Sequence, residues 1–185
     1  MVELREEYKG VIMKYRIETR NTIRFVGRKF FVPVEKGLVF SEIPSIWDKL
    51  PKVTFNELNM LSDSDPTGVV GVFAARYYDD SVYTALDYWV AVATSKPCPP
   101  HFSILELPAA TWAIFEAKGA FPGALQDVFS RVHTEWFPNS AYTRANLNEI
   151  EWFSEGDKCS DSYISEAWVS VEKKQSASIE HGGLE

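Results

Sequence analysis

A short acidic and aromatic stretch, residues 147–153, holds the residues best suited to meet a charged ligand. It reads Leu-Asn-Glu-Ile-Glu-Trp-Phe, and on a strand successive side chains point to opposite faces. Glu149, Glu151 and Phe153 then share one face. A carboxylate among aromatic rings is costly to ionise unless a positive charge or a hydrogen bond compensates it. Glu151 is therefore either a solvated acid at a sheet edge or a functional carboxylate.

Composition describes a globular chain with a poor fit to nucleic acid. The 185 residues are 45% hydrophobic and carry a net charge of −7, which suits one domain or two tightly fused halves. Binding to nucleic acid depends on neutralising phosphates, so an acidic chain without a basic stripe is not expected to bind it directly. The content of aromatic residues, 14%, is somewhat rich. Aromatic residues beyond what packing needs often line a pocket, although core packing is their commoner use.

The sequence predicts neither a metal site, nor a cofactor, nor a membrane segment. Cys98 and Cys159 have the spacing of neither a zinc site nor a disulfide framework, and the three histidines form no motif with them. The N-terminus is charged where a signal peptide would be apolar, and no apolar run reaches the roughly 20 residues of a membrane span. A cytoplasmic protein is expected.

Hydrophobic periodicity predicts the elements that position these residues. The predicted helices are 43–50, 54–61 and 122–136, and the predicted strands are 22–34, 69–77, 86–94, 101–118, 147–154 and 163–173. Pro108 interrupts the long strand 101–118. Residues 1–20 are left as an N-terminal extension, in which 11–17 form either an extra strand or the end of a helix. Residues 175–185 lack apolar periodicity, so a disordered tail is expected.

Two sequence echoes indicate an internal repeat. Ile43-Pro-Ser-Ile-Trp is matched by Phe121-Pro-Gly-Ala-Leu, 78 positions further on, and Asp87-Tyr-Trp-Val-Ala-Val by Glu166-Ala-Trp-Val-Ser-Val, 79 positions further on. Because the offsets agree, we predict an α+β fold of two βαββ units, about 21–95 and 101–174, related by a pseudo-twofold axis. Antiparallel sheets would carry the helices on one side, and a ligand cleft would lie between the halves.

These motifs together resemble those of a known family. The stretches that carry the resemblance are Leu107-Pro-Ala-Ala-Thr-Trp-Ala-Ile-Phe-Glu-Ala-Lys-Gly, Thr134-Glu-Trp-Phe-Pro-Asn-Ser-Ala-Tyr, Glu149-Ile-Glu-Trp-Phe and Glu166-Ala-Trp-Val-Ser-Val. The sequence resembles the GyrI-like effector-binding domains, which are the ligand-binding domains of AraC- and MerR-type multidrug regulators and their free-standing relatives. The resemblance covers about residues 20–173 and is nearest to the integron-associated, free-standing members.

The resemblance implies a site and a ligand class. Members of this family bind amphipathic, often cationic, molecules in the cleft between the repeats, where a buried glutamate meets the positive charge and aromatic rings surround it. Carried over to this sequence, the glutamate is Glu151 and a ring is supplied by Tyr163, while Trp47 and Trp112 are expected to line the wall. Nothing in the chain resembles a helix-turn-helix, so any role in transcription regulation is expected to pass through a partner.

Two other functions remain open. Some members of the family resemble hydrolases of reactive small molecules, and Glu151 could activate water, although the sequence shows no Ser–His pair. A protein-binding module similar to the gyrase inhibitors of the family is the other possibility. The oligomeric state is not predicted. Turnover of a reactive substrate would favour the hydrolase, and a stable protein complex would favour the inhibitor.

Overall fold

The computed structural model describes residues 3–8, 11–34, 42–79 and 82–175. They form one antiparallel sheet of nine strands with a small number of helices, which confirms the predicted α+β class. The predicted tail falls almost entirely on residues 176–185, which lie outside the described residues, and its disorder stays a prediction.

The strands are long and follow one another as hairpins and crossovers. Their bounds are β1 Glu3–Tyr8, β2 Val11–Arg20, β3 Ile23–Pro33, β4 Val70–Asp79, β5 Val82–Ala93, β6 Ser103–Leu107, β7 Ala110–Lys118, β8 Tyr142–Phe153 and β9 Ile164–Lys173. Alternating Val, Ile, Phe, Tyr and Trp account for most of them, since β-branched and aromatic side chains pack well on a pleated surface.

The helices fill two connections between strands. Helices α1, Ile43–Asp48, and α2, Lys52–Leu61, join β3 to β4. Helix α3, Gly123–Arg131, continues through a π-helical turn, Val132–Trp136, into the short α4, Phe137–Asn139, and joins β7 to β8. The buried residues of the two longer helices, Thr54 and Leu58 of α2 and Leu125 and Phe129 of α3, lie four positions apart, as a helix with one buried face requires.

The strand order is β1-β2-β7-β9-β8-β4-β5-β3-β6. Read outwards from the central pair, it runs β4-β5-β3-β6 on one side and β8-β9-β7-β2-β1 on the other. Each side thus contains three strands of one predicted βαββ unit, followed by strands from the other part of the chain: β6 on the first side, β2 and β1 on the second. This order is compatible with the predicted pseudo-twofold axis, whereas superposition of the two halves stays a prediction.

All the helices pack on one face of the sheet. One core cluster combines helix residues such as Leu58, Leu125 and Phe129 with the sheet residues that face them. A second cluster, on the opposite face, is made of strand side chains and the segments around them, and it includes Trp89, Trp112 and Trp168. The prediction that the helices lie on one side is confirmed, while the predicted separate sheets are one continuous sheet.

Two segments differ from the sequence prediction. The strand predicted at 101–118 is two strands with different partners: β6 pairs with β3, whereas β7 pairs with β2 and β9. Pro108 stands where the chain crosses from one side of the sheet to the other. Residues 11–20, assigned to an extension, form β2, an integral strand, and Met13 and Tyr15 on it are each 6% exposed.

Candidate functional site

Glu151 lies near the middle of the sheet, on the face covered by helices. It is opposite Gly71 where β8 pairs with β4, and it is 5% exposed. The Tyr88 hydroxyl on β5 donates a hydrogen bond of 2.6 Å to Glu151 Oε2, and Trp47 Nε1 on α1 donates one of 2.8 Å to the Tyr88 oxygen. Three elements that are far apart in sequence thus position one carboxyl group.

Gly71 makes this arrangement possible. A Cβ atom at this position would lie 2.1 Å from the Tyr88 hydroxyl and 2.6 Å from Glu151 Oε2, distances far below any allowed contact. Because glycine has no side chain, the tyrosine hydroxyl can lie directly against the backbone of β4. A glycine inside an apolar strand was therefore the sequence signal for this close approach.

Two acids on the same face of β8 have opposite electrostatic environments. Glu149 Oε2 lies 2.9 Å from Arg76 Nη2, its Oε1 lies 3.1 Å from His133 Nε2, and Arg144 also pairs with it. Burial alone would raise the pKa of Glu149, but the hydrogen bond from His133 and the two arginine charges outweigh it and lower that pKa to about 2.

Glu151 has no such compensation. Burial raises its pKa to about 7, and the negative charge of Glu149 acts in the same direction, while the Tyr88 hydrogen bond and the charge of Lys158 oppose the rise. Among the described side chains, no cation forms a direct ion pair with Glu151. A buried carboxyl with a pKa near neutrality gains from any positive charge brought close to it.

An aromatic cage is connected to this carboxyl through Trp47 and Tyr88. We use the term for Trp47 on α1, Phe121 just before α3 and Phe153 at the end of β8. The ring centroids of Trp47 and Phe153 are 5.2 Å apart, and those of Phe121 and Phe153 are 5.3 Å apart, each pair edge to face. Lys158 Nζ lies 4.9 Å from the Phe153 centroid and 5.4 Å from the other two. The cage thus has the geometry for cation–π contact.

A cleft of about 490 Å³ opens at the cage. Its walls come from α1, α2, the start of α3 and the connection between β8 and β9, and they include Trp47, Phe55, Phe121 and Lys158. This volume lies in the range of small-molecule pockets. Glu151 does not line the cleft. It is connected to the cleft through Tyr88, which donates a hydrogen bond to Glu151 and accepts one from Trp47.

The connection between β8 and β9, residues 154–163, is braced by Tyr163. The Tyr163 hydroxyl donates a 2.9 Å hydrogen bond to the Ser154 carbonyl, so it ties the two ends of the connection together. The Lys158 carbonyl accepts a 2.8 Å hydrogen bond from the Phe121 amide. These bonds fix the backbone from which Lys158 reaches the cage.

The structure brings two of the four predicted site residues into contact with this assembly and separates the others. Glu151 and Trp47 are joined through Tyr88. Tyr163 is buried in the bracing connection, with its hydroxyl engaged to the backbone. Trp112 is not brought to the site, because its position on β7 points to the opposite face, where it is 0% exposed and 6.2 Å from the Trp168 ring.

Sequence reasoning missed four residues of this site, namely Gly71, Tyr88, Phe121 and Lys158. It also did not identify Phe153 as a member of the cage. Phe153 has the same strand parity as Glu151, so its position was available from alternation. Phe121 and Lys158 lie in connections, where no periodicity indicates which way a side chain points.

Other possible sites are weaker. A cleft of about 500 Å³ on the opposite face is lined by Lys14, Arg16, Glu18 and neighbouring residues, whose charges pair with one another. In the part of the chain that the structure describes, no group of three His, Cys, Asp or Glu side chains could hold a metal ion. No helix there is both long enough and apolar enough to cross a membrane.

Comparison with known proteins gives one family. Residues 13–172 match a family described as GyrI-like small molecule binding domain. No curated protein sequence matches the chain.

Solved structures share the fold at low sequence identity. SAV2435, in a structure described as bound to tetraphenylphosphonium, is 22% identical with a TM-score of 0.73, and the match covers 85% of this chain and 93% of that one. An integron cassette protein from the mobile metagenome of Vibrio cholerae is 17% identical with a TM-score of 0.57, covering 85% and 95%. The C-terminal domain of EcmrR is 16% identical with a TM-score of 0.55, covering 88% and 99%.

Proposed function

The chain belongs to the GyrI-like family of small-molecule binding domains, and we propose that it binds amphipathic organic cations at the aromatic cage connected to Glu151. The observation that carries this proposal is the state of Glu151: a buried carboxyl whose hydrogen bond comes from a neutral tyrosine, beside three rings arranged for a cation. Glu149, two residues away, is by contrast neutralised by Arg76, Arg144 and His133.

The cage and the carboxyl act on a ligand in different ways. Ring faces attract a cation by about 0.5–1 kcal/mol each at a partly exposed site and also accept apolar groups. The carboxylate acts over a longer distance through a medium of low dielectric constant. Lys158 supports an interaction over this distance, because its ammonium lies over the cage and its charge lowers the pKa of Glu151. A ligand cation in the same place would interact similarly.

The ligand class is also supported by the cleft. Its walls are mostly aromatic and aliphatic, with Asp48, Lys52 and Lys158 as charged members. Flat rings tolerate many shapes, which favours broad specificity over recognition of one compound. The structure of SAV2435, with the same fold, is described as bound to a cation of this type, tetraphenylphosphonium. Any effect on transcription would pass through a DNA-binding partner, because a net charge of −7 disfavours direct contact with phosphates.

The test compares a cation with a neutral molecule of similar shape. Binding of tetraphenylphosphonium and of triphenylphosphine oxide is measured by calorimetry at pH 8.5, where Glu151 is ionised because its pKa is about 7. Glu151→Gln keeps size and hydrogen bonding, so we expect the cation to lose on the order of 2 kcal/mol, or roughly 30-fold in affinity, and the neutral ligand much less.

The control is Glu172→Gln, which makes the same change of charge at an exposed position at the end of β9. It should leave both affinities unchanged. Equal losses for both ligands in Glu151→Gln, or no loss for either, would show that Glu151 is a structural acid and would end the proposal.

Hydrolysis of a reactive small molecule is a second candidate. A carboxyl with a pKa of about 7 has the proton affinity that general-base catalysis needs at neutral pH. Incubation of the protein with an epoxide or activated ester that occupies the cleft, followed by mass spectrometry, decides between them. A product that forms with wild type and not with Glu151→Gln would favour the enzyme, and an unchanged ligand would favour binding alone.

A further inference from the structure

Lys158 occupies the place at the aromatic cage where a ligand cation would be expected. Its ammonium nitrogen is within 4.9–5.4 Å of all three ring centroids. Although the residue as a whole is exposed, its charged end lies over ring faces, and the loss of water there lowers the pKa of Lys158, an effect that Glu151 partly offsets. The free protein therefore fills its own cage with a cation.

The chain holds this ammonium on a short and well-anchored tether. The Lys158 carbonyl accepts the 2.8 Å hydrogen bond from the Phe121 amide, and the Cys159 amide donates one of 2.9 Å to Asp157 Oδ1. The backbone is therefore fixed beside the cage, while the four-carbon side chain can swing out into water without disturbing it. Nothing in the described part of the chain holds the ammonium by a direct ion pair.

Building on the proposed function, we infer that Lys158 is a tethered competitor, which a ligand must displace and which makes the site select lipophilic organic cations against primary amines. A group on a short tether has an effective concentration in the millimolar range. A primary amine offers the same head group as Lys158, so it cannot displace Lys158 at lower concentration. A large cation with aromatic substituents can, because its apolar surface also fills the cleft of about 490 Å³.

The first test is the affinity of variants for tetraphenylphosphonium and for 2-phenylethylammonium at pH 8.5. Lys158→Met keeps an unbranched side chain that is shorter by one atom and removes its charge. If Lys158 fills the cage about nine-tenths of the time, the variant should bind tetraphenylphosphonium roughly tenfold more tightly, and it should bind the primary amine at concentrations where wild type does not.

Two further variants separate charge from shape. Lys158→Arg retains a cation that can lie over the rings and should keep the affinity of wild type. Lys173→Met removes the same charge at an exposed position on β9 and should also change nothing. Unchanged or weaker binding of tetraphenylphosphonium by Lys158→Met would overturn the inference, as would equally tight binding of the primary amine by wild type.

The second test begins with the free protein and separates this inference from the proposed function. In protein labelled with carbon-13 lysine, the ε-methylene resonance of Lys158, identified by its loss in Lys158→Met, should be shifted upfield by the ring currents of the cage and should return towards the position of other lysines when tetraphenylphosphonium binds. A resonance without the upfield shift in the free protein would overturn the inference. An upfield shift in a protein that binds neither cation would support occupancy by Lys158 and overturn the proposed function.

Discussion

At the scale of single residues, the molecule treats two neighbouring glutamates in opposite ways. Glu149 and Glu151 are both buried on the same face of β8. The first is surrounded by Arg76, Arg144 and His133, and the second by a tyrosine hydroxyl and, further away, Lys158. Strand alternation predicts that the two acids share a face but not which of them is neutralised, because the cations come from other elements.

This difference predicts a specific dependence of stability on pH. The pKa of Glu151 is raised to about 7 in the folded protein from an ordinary value of roughly 4.3 in the unfolded chain. Glu151 holds its proton more tightly in the folded state than in the unfolded state. The stability that Glu151 contributes is therefore fully present below its unfolded pKa and is lost as pH rises through about 7. We expect the free energy of unfolding of wild type to fall relative to Glu151→Gln by about 3 kcal/mol between those values.

Urea denaturation of both proteins at pH 4, 5.5, 7 and 8.5 measures this difference. Glu149 does not interfere, because it is present in both proteins. Its contribution to stability is lost as pH falls from an unfolded pKa of roughly 4.3 towards its lowered pKa of about 2. Parallel curves for wild type and Glu151→Gln between pH 4 and 8.5 would show that Glu151 is not held in an uncompensated site.

At the scale of elements, the sequence predicts much of the framework and little of the cage. Alternation and the helical stripe of α3 identify most strands and helices, because burial on one face imposes a period on the sequence. The long strand at 101–118 is misread, because two short strands that end and begin near a proline have the same pattern as one interrupted strand. Their partners are set by pairings between residues far apart in the sequence, such as that of β6 with β3.

The site residues also fall into those that the sequence predicts and those that it does not. Glu151 and Trp47 were predicted, the first from strand alternation and family resemblance and the second from resemblance alone. Trp112 was assigned to the same wall, but the parity of β7 carries it to the other face. Phe121 and Lys158 could not be found from periodicity, since the direction of a side chain in a connection depends on backbone hydrogen bonds that a pattern does not encode.

Gly71 offers a test of how β4 supports the site. In Gly71→Ala the new methyl group would overlap the Tyr88 hydroxyl, so the tyrosine must move and its hydrogen bonds to Glu151 and Trp47 must break. Overpacking of a buried site costs about 1–3 kcal/mol, and the lost hydrogen bonds add to this. We expect the urea midpoint to fall accordingly and binding of tetraphenylphosphonium to weaken.

The matched control is Gly123→Ala, at the start of α3, where a Cβ atom meets nothing within 4 Å. Alanine there should leave stability unchanged or raise it by about 0.4–1 kcal/mol, because it restricts the unfolded chain. If the two substitutions had the same effect on stability, the close approach at Gly71 would not be what holds Tyr88 in place.

At the scale of the whole molecule, the two predicted repeats are interlocked and do not stand side by side as complete units. Strand β2 comes before the first βαββ unit in the chain and pairs with β7 of the second, while β6, at the start of the second unit, pairs with β3 of the first. Strands β4 and β8 join the two sides at the centre. Each side therefore takes its outer strand from the part of the chain that encodes the other.

The site is divided across this seam. Trp47, Tyr88 and Gly71 come from the first part of the chain, and Phe121, Glu151, Phe153 and Lys158 come from the second. The carboxyl is held by a hydrogen bond from Tyr88, and the cage is closed by Trp47, so neither part holds a complete site. Formation of the site is consequently coupled to association of the two parts.

This coupling predicts the behaviour of the chain when it is divided between Pro97 and Cys98, in the segment that joins β5 to β6. Division would remove the pairings of β2 with β7, β3 with β6 and β4 with β8. Each fragment would therefore have unpaired strand edges and expose apolar surface that the other fragment normally covers. We expect neither fragment to unfold cooperatively by itself, whereas an equimolar mixture should recover a cooperative transition and bind tetraphenylphosphonium. Circular dichroism melts of each fragment and of the mixture measure this. A cooperative transition in either fragment alone would mean that one repeat contains a core of its own and that the strand exchange between the halves is not needed for folding.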